Sequence, residues 1–188
     1  VWVETDKALG EQHPEVYWQV LSDCGALAVL LPELAVSRGI AALARAAPHT
    51  ERNDCRWAAL LADLPEARAR EASERLKAPS AYLLLAARVS GGRRRIKTAR
   101  KDGAECMNLL KALDGLRRKE PFEGFCETLV ALEQNSVDAQ SATNLVRSAR
   151  SAARQVKAAD FADQGLSGPS LGAAIQAAQI ERIAELLD

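Results

Sequence analysis

The sequence predicts an all-α protein, a multi-helix bundle in two packed subdomains. Three observations carry that prediction. Aromatic residues make up only 4% of the 188-residue chain while Ala and Leu dominate, so the side chains that favour strands are scarce. Apolar residues recur at steps of three and four along most of the chain, and no segment alternates with the period of two of a half-buried strand. Prolines and glycines fall between those stretches, where helices start and stop.

The elements follow in order. Val1 to Leu9 reads as the end of a helix stopped by Gly10. Pro14 suits the first turn of the next helix, where its missing N–H costs nothing, and Glu15 suits the positive end of the helix dipole. Tyr17, Val20, Leu21 and Cys24 then recur at helical spacing as its apolar face, and Gly25 closes it in a left-handed conformation. Ala26 to Leu31 form a second short apolar turn stopped by Pro32, so that Tyr17, Val20, Leu21, Cys24 and Leu27 make a buried hairpin. An Ala-rich helix from Val36 to Ala46 ends before Pro48. Thr50 or Asn53 can cap the next helix, whose stripe is Trp57, Leu60, Leu61 and Leu64. Pro65 starts a mostly charged helix, Glu66 to Lys77. Pro79 and Ser80 start Ala81 to Val89, nearly all apolar and central to the core.

Ser90-Gly91-Gly92 reads as the clearest break in the chain, dividing a helical body (1–90) from a helical tail (91–188). In the tail, Arg93 to Gly103 precede Ala104 to Leu116, with Cys106, Leu109, Leu110, Leu113 and Leu116 on one face. Pro121 opens Phe122 to Leu132, with Phe122, Phe125, Cys126, Leu129 and Val130 inward. Ser136 or Asp138 caps a long helix to about Ala159 with Ala142, Leu145, Val146, Ala149, Ala153 and Val156 as its stripe. A last helix follows Gly168-Pro169 through Leu171, Ile175, Ile180, Ile183 and Leu187.

Bulk properties bound the function. Lys and Arg number 25 and Asp and Glu number 25, so net charge is zero and any case for an anionic partner must come from local patches. The four cysteines, Cys24, Cys55, Cys106 and Cys126, form no Cys-x-x-Cys pair and read as reduced core thiols of a cytoplasmic protein. His13 and His49 have no ligand-like spacing with acids, so no metal site is expected. No apolar run approaches a membrane span, and the amphipathic, acidic start does not read as a signal peptide. A first residue of Val hints at a piece of a longer chain.

Two basic patches and one glycine-rich turn are the candidate sites. Arg93, Arg94, Arg95, Lys97, Arg100 and Lys101, preceded by Arg88, run without an acid until Asp102. Arginine forks and flexible lysines suit phosphate oxygens. Arg147, Arg150, Arg154 and Lys157 step by three and four along one helix, with no acid between Asp138 and Asp160. For both patches a solvated face is the plain alternative. Gly165 and Gly168, in Gly165-Leu166-Ser167-Gly168-Pro169-Ser170-Leu171-Gly172, precede a helix whose free N–H groups could meet an anion, and a close-packed helix entry is the alternative. No catalytic constellation is visible. Asp63 has no adjacent His, and no Asp-x-Asp or Gly-Ser pair for metal-dependent nucleotidyl transfer is present.

Three stretches also carry a resemblance. Residues 13–34, HPEVYWQVLSDCGALAVLLPEL, look like the body segment of bacterial CCA-adding tRNA nucleotidyltransferases of class II, the poly(A) polymerase-like group. Residues 1–9, VWVETDKAL, resemble the helix leading from the neck into that body. Residues 159–172, ADFADQGLSGPSLG, look like the tail segment before the last helix. The resemblance implies a class II C-terminal body-and-tail fold that holds the acceptor and T arms of tRNA by their backbone, with neither DNA nor a membrane as partner. It places the metal-binding carboxylates, and the use of Mg²⁺ with CTP and ATP, in a head and neck to which nothing here corresponds. No cofactor is therefore expected in this chain. Arg56 to Leu64 resembles the helix of a metal-dependent phosphohydrolase dyad, with Ala62 where the His would stand, which implies a degenerate remnant of that domain. A non-enzymatic helical interaction module derived from the family is the second reading. An independent metal phosphohydrolase is the third.

Overall fold

The computed structural model describes residues 1–35 and 38–187. Among them there are thirteen α-helices, three short 3₁₀ segments and no strand. The first lobe contains α1 (Trp2–Leu9), α2 (Pro14–Asp23), α3 (Ala26–Leu30), α4 (Pro32–Ala35), α5 (Gly39–Ala46), α6 (Asn53–Leu61), α7 (Glu66–Arg75) and α8 (Ser80–Gly92). The chain continues through α9 (Ile96–Ala99), α10 (Gly103–Ala112), α11 (Lys119–Leu132), α12 (Val137–Gln155) and α13 (Gly168–Ala184). Val36 and Ser37, expected to begin the α5 helix, lie outside the described residues.

The helix starts follow local chemistry. Pro65 and Pro79 sit immediately before α7 and α8 in extended conformations that feed the chain into each helix. Ser136, rather than Asp138, caps α12, its hydroxyl accepting the Ala139 N–H at 3.2 Å. Asp102 caps α10 through the Glu105 N–H at 2.9 Å. Pro121 lies inside the first turn of α11 instead of before it, where a missing N–H is still harmless. Gly25 has φ of +77°, the left-handed geometry expected at that stop.

The face of α2 differs from the expectation. Pro14 and Trp18 are its buried residues. Tyr17 and Leu21 are only half-buried, Val20 is 57% exposed and Cys24 is exposed. The inward direction is set by the large indole of Trp18, which lies against Trp57 with ring centroids 6.0 Å apart. Leu27, Leu31 and Leu34 are buried as the other half of that hairpin.

The expected break at Ser90-Gly91-Gly92 is helical. These residues are the last turn of α8, and Arg93–Arg95 continue it as a 3₁₀ turn into α9. The glycines serve close packing there. A Cβ on Gly92 would lie 2.9 Å from the Phe125 ring, and one on Gly91 would meet the Glu66 carboxylate. α8 packs on α6, α7 and α11, while α10, α12 and α13 pack on one another. A continuous apolar cluster joins the two groups, running from Leu9 and Trp57 through Val89 and Phe125 to Val146 and Ile183.

Gly103 is the tightest backbone approach in the second group. A Cβ there would sit 2.9 Å from the Ile180 carbonyl and 3.2 Å from the Ala184 N of α13. Backbone cannot swing aside as a side chain can. Gly103→Ala is therefore expected to push α13 off α10 and cost about 1–3 kcal/mol, as overpacked cores do, read from the midpoint of chemical unfolding.

The cysteines separate by burial. Cys55, Cys106 and Cys126 are buried and Cys24 is exposed. Burial pushes the thiols of Cys55 and Cys126 up to about 12 and that of Cys106 up to about 11. Because the thiolate is the reactive form, a thiol reagent near neutral pH should modify Cys24 alone in the native protein and all four cysteines after unfolding. Fast native labelling of a second cysteine would contradict this packing.

Candidate nucleic-acid interface

The first basic patch lines a groove of about 630 Å³. One wall is the 3₁₀ turn and α9, presenting Arg93, Arg94, Lys97 and Arg100. The opposite wall and floor are the last turn of α11, the corner after it and the first turns of α12, with Leu129, Leu132, Ala139 and Ala142 as apolar surface. Ile96 adds to that surface from α9. The chain makes this wall basic because the tight 3₁₀ turn puts three consecutive arginines around the start of α9, with only Ala99 of α9 fully buried.

The groove cations are not equivalent. Arg93 is paired with Asp63, and Arg100 donates to Asp138 at 2.7 Å. Both are spent on tethering, the first to the α6–α7 connection and the second to the start of α12. Arg94 and Lys97 are exposed, and no carboxylate of the described residues lies within 4.0 Å of either. Arg95 is half-buried and Lys101 exposed, and they flank the groove rather than line it.

The second patch does not form one free face. Arg147 donates to Glu123 at 2.8 Å and to Asn144 at 3.2 Å. Arg150 is only 9% exposed. Its Nε donates to the Gly115 carbonyl at 2.5 Å, and its guanidinium carbon lies 5.3 Å from the centroid of the Phe122 ring. Arg150, expected among the phosphate-binding residues, is thus engaged within the fold. The buried positions of α12 are 139, 142, 143, 146, 149, 150 and 153, so position 150 belongs to the inward stripe. Arg154 is exposed, while the Lys157 ammonium donates to the Arg154 carbonyl at 2.7 Å and closes the end of α12.

Gly165 and Gly168 take φ of +63° and +54° and turn the chain into α13. Pro169 supplies no N–H to that helix start, and the Ser170 hydroxyl donates back to the Ser167 carbonyl at 2.7 Å. Both glycines are exposed.

A second hollow of about 380 Å³ was not legible from the motifs. It lies on the other side of the α11–α12 pair and holds His49, Glu123, Glu127, Asn135, Asn144 and Arg147. Its charges are largely engaged. Glu127 accepts from the Thr50 hydroxyl at 2.5 Å and pairs with Arg52 at 3.3 Å, and Asn135 meets the His49 ring at 3.0 Å. The four-residue spacing of Glu123 and Glu127 on α11 was the available signal. Among the described residues no group of three or more His, Cys, Asp or Glu could hold a metal ion, and no helix is long and apolar enough to cross a membrane.

Comparison with curated proteins points to the same family as the sequence resemblance. The chain is 35% identical over 187 residues to the CCA-adding enzyme of Pseudomonas putida strain W619 and 34% identical over 190 residues to the Multifunctional CCA protein of Pseudomonas putida strain KT2440. It is 29% identical over 189 residues to the CCA-adding enzyme of Coxiella burnetii strain RSA 331. These matches cover 97%, 97% and 100% of the chain. Over that length, the chain is similar to CCA-adding enzymes. It spans about half the length of these curated relatives, 50% in each case. No family model matches the chain, and no solved structure matches it. The all-α architecture agrees with the body-and-tail resemblance seen in the sequence.

Proposed function

We propose that this chain is the tRNA-holding part of an enzyme that adds CMP and AMP to the tRNA 3′ end. In this reading the chain grips phosphates of the acceptor and T arms. The observation that carries it is a pair of cations, Arg94 and Lys97, with no acidic partner among the described residues, on the rim of a groove in a chain of zero net charge. Similarity to CCA-adding enzymes supports RNA over other polyanions. In this reading nucleotidyl transfer, with Mg²⁺, CTP and ATP, belongs to the half of the relatives' length that this chain does not span. Phosphate contacts position an RNA without reading its sequence, so binding should follow shape and depend on salt.

The test is binding to a tRNA acceptor–T minihelix across a salt series. Arg94→Glu together with Lys97→Glu should weaken binding about tenfold or more at low salt, with an unchanged melting temperature because both side chains are exposed. No binding of the wild type at low salt overturns the proposal.

A second reading keeps the fold without RNA binding. It is favoured by the engagement of Arg93, Arg100 and Arg147 in ion pairs and the burial of Arg150, which removes much of the expected positive charge from the surface. A flat response of partner binding to salt would select it.

A further inference from the structure

We infer that the groove between α9 and the α11–α12 corner takes a whole nucleotide unit of RNA, its phosphate on Arg94 and Lys97 and its unstacked base against the apolar floor. The inference rests on the RNA-holding reading and goes beyond it, because a grip on duplex backbone needs cations on a surface and no room for a base.

The division of the groove carries the argument. Among the described residues, the groove cations without an acidic partner are Arg94 and Lys97, both on the wall made by the 3₁₀ turn and α9. The facing side mixes polar side chains with an apolar strip that is mostly buried: Leu129 and Leu132 from α11, Ala139 and Ala142 from α12, beside Glu133, Ser136, Asp138 and Thr143. Ile96 joins that strip from beside the cations. A phosphate gains nothing from such a strip, whereas the face of a base can bury apolar area against it. The volume of 630 Å³ falls within the roughly 300–1,000 Å³ of small-ligand clefts and exceeds what a phosphate alone would fill.

The polar groups at the floor's edge fit the same division. Ser136 and Thr143 spend their hydroxyls on α12 itself, Ser136 accepting the Ala139 N–H and Thr143 donating to the Ala139 carbonyl. Glu133 is exposed on the wall facing the cations, and its carboxylate pairs with no cation of the described residues. It leaves an acceptor for the edge of a base and discourages a phosphate from settling on that side. The ion pairs Arg93–Asp63 and Arg100–Asp138 tie the basic wall to its neighbours. The second hollow offers no comparable division, because its arginine is paired and its carboxylates are engaged.

The experiment titrates the full chain with AMP, ribose 5-phosphate and adenosine, following backbone amide shifts by NMR. AMP should bind at least about tenfold tighter than either fragment, with shifts at Ile96, Ala139 and Ala142. Ile96→Ser should bring AMP down toward ribose 5-phosphate, and Arg94→Gln with Lys97→Gln should bring it down toward adenosine. The wild-type comparison stands even if Ile96→Ser proves unstable. Equal binding of AMP and ribose 5-phosphate, or shifts confined to residues outside the groove, overturns the inference. If the minihelix still binds with its salt dependence in that case, the RNA-holding reading survives alone. An RNA carrying an unpaired nucleotide should bind tighter than the blunt duplex of the same length. AMP preference without any RNA binding would make the site one for free nucleotides and overturn the RNA source.

Discussion

Replacing Arg56 with alanine is expected to be the most damaging single change in this protein. Arg56 is only 7% exposed, and its guanidinium donates to four main-chain carbonyls and to no carboxylate among the described residues. Nε reaches the Thr50 carbonyl at 2.8 Å, Nη1 those of Leu9 at 2.5 Å and Glu11 at 3.1 Å, and Nη2 that of Ala47 at 3.0 Å. One side chain on α6 thereby fastens the end of α1, the turn after α5 and the entry to α6 itself. Alanine leaves those acceptors without donors, a loss of about 3–5 kcal/mol by the cost of unsatisfied buried groups, or a fall of roughly 6–20 °C in unfolding midpoint for a chain of this size. Arg56→Lys should recover little, because a single ammonium cannot span three carbonyl directions with the fork geometry of a guanidinium. Calorimetry on the two variants checks this, and a drop of less than a few degrees in both would contradict it.

Arg150 comes next, and its expected phenotype is stability rather than RNA affinity. Arg150→Ala removes a hydrogen bond from a charged donor to the Gly115 carbonyl and a cation–π contact with Phe122, for about 2–3 kcal/mol together. The loop bearing Gly115 is packed closely at that point, since a Cβ on Gly115 would lie 2.9 Å from the Phe122 ring. The two readings of this residue separate cleanly. A phosphate ligand would change the salt dependence of RNA binding and leave the melting curve alone. The structure predicts the reverse, and an altered salt slope with an unchanged melt would restore Arg150 to the interface.

The helices were legible where a local signal sets an end. Pro65, Pro79, Ser136 and Gly25 act on the backbone within a turn of themselves, so no tertiary knowledge is needed to place them. The inward face of α2 was not legible, because Tyr17, Val20 and Leu21 are as apolar as its true anchor and only the position of Trp57 decides for Trp18. The packing at Gly91 and Gly92 was not legible for a related reason. A glycine pair that lets Glu66 and Phe125 approach reads, in one dimension, like a glycine pair that ends a helix. The arginines show the largest gap. Arg56, Arg94 and Arg150 look alike in sequence. One is held by carbonyls of three segments, one stands free on a groove, and one lies over a phenyl ring. The groove itself joins Ile96 to Ala142, residues whose proximity follows from packing of α9 against α12.

On the RNA-holding reading proposed above, binding resides on the α9 wall, while Arg147 and Arg150 of α12 serve the fold. The most direct measurement is the slope of log affinity against log salt for a tRNA minihelix, compared between Arg94→Gln with Lys97→Gln and Arg147→Gln with Arg150→Gln. Each phosphate that the protein no longer neutralises should flatten the slope by about 0.7–0.9. A flattening of about 0.7–0.9 in the first pair, for the one phosphate they share, with no change in the second, is the predicted result. An equal slope in the first pair and wild type, or a flattening confined to the second pair, would contradict it.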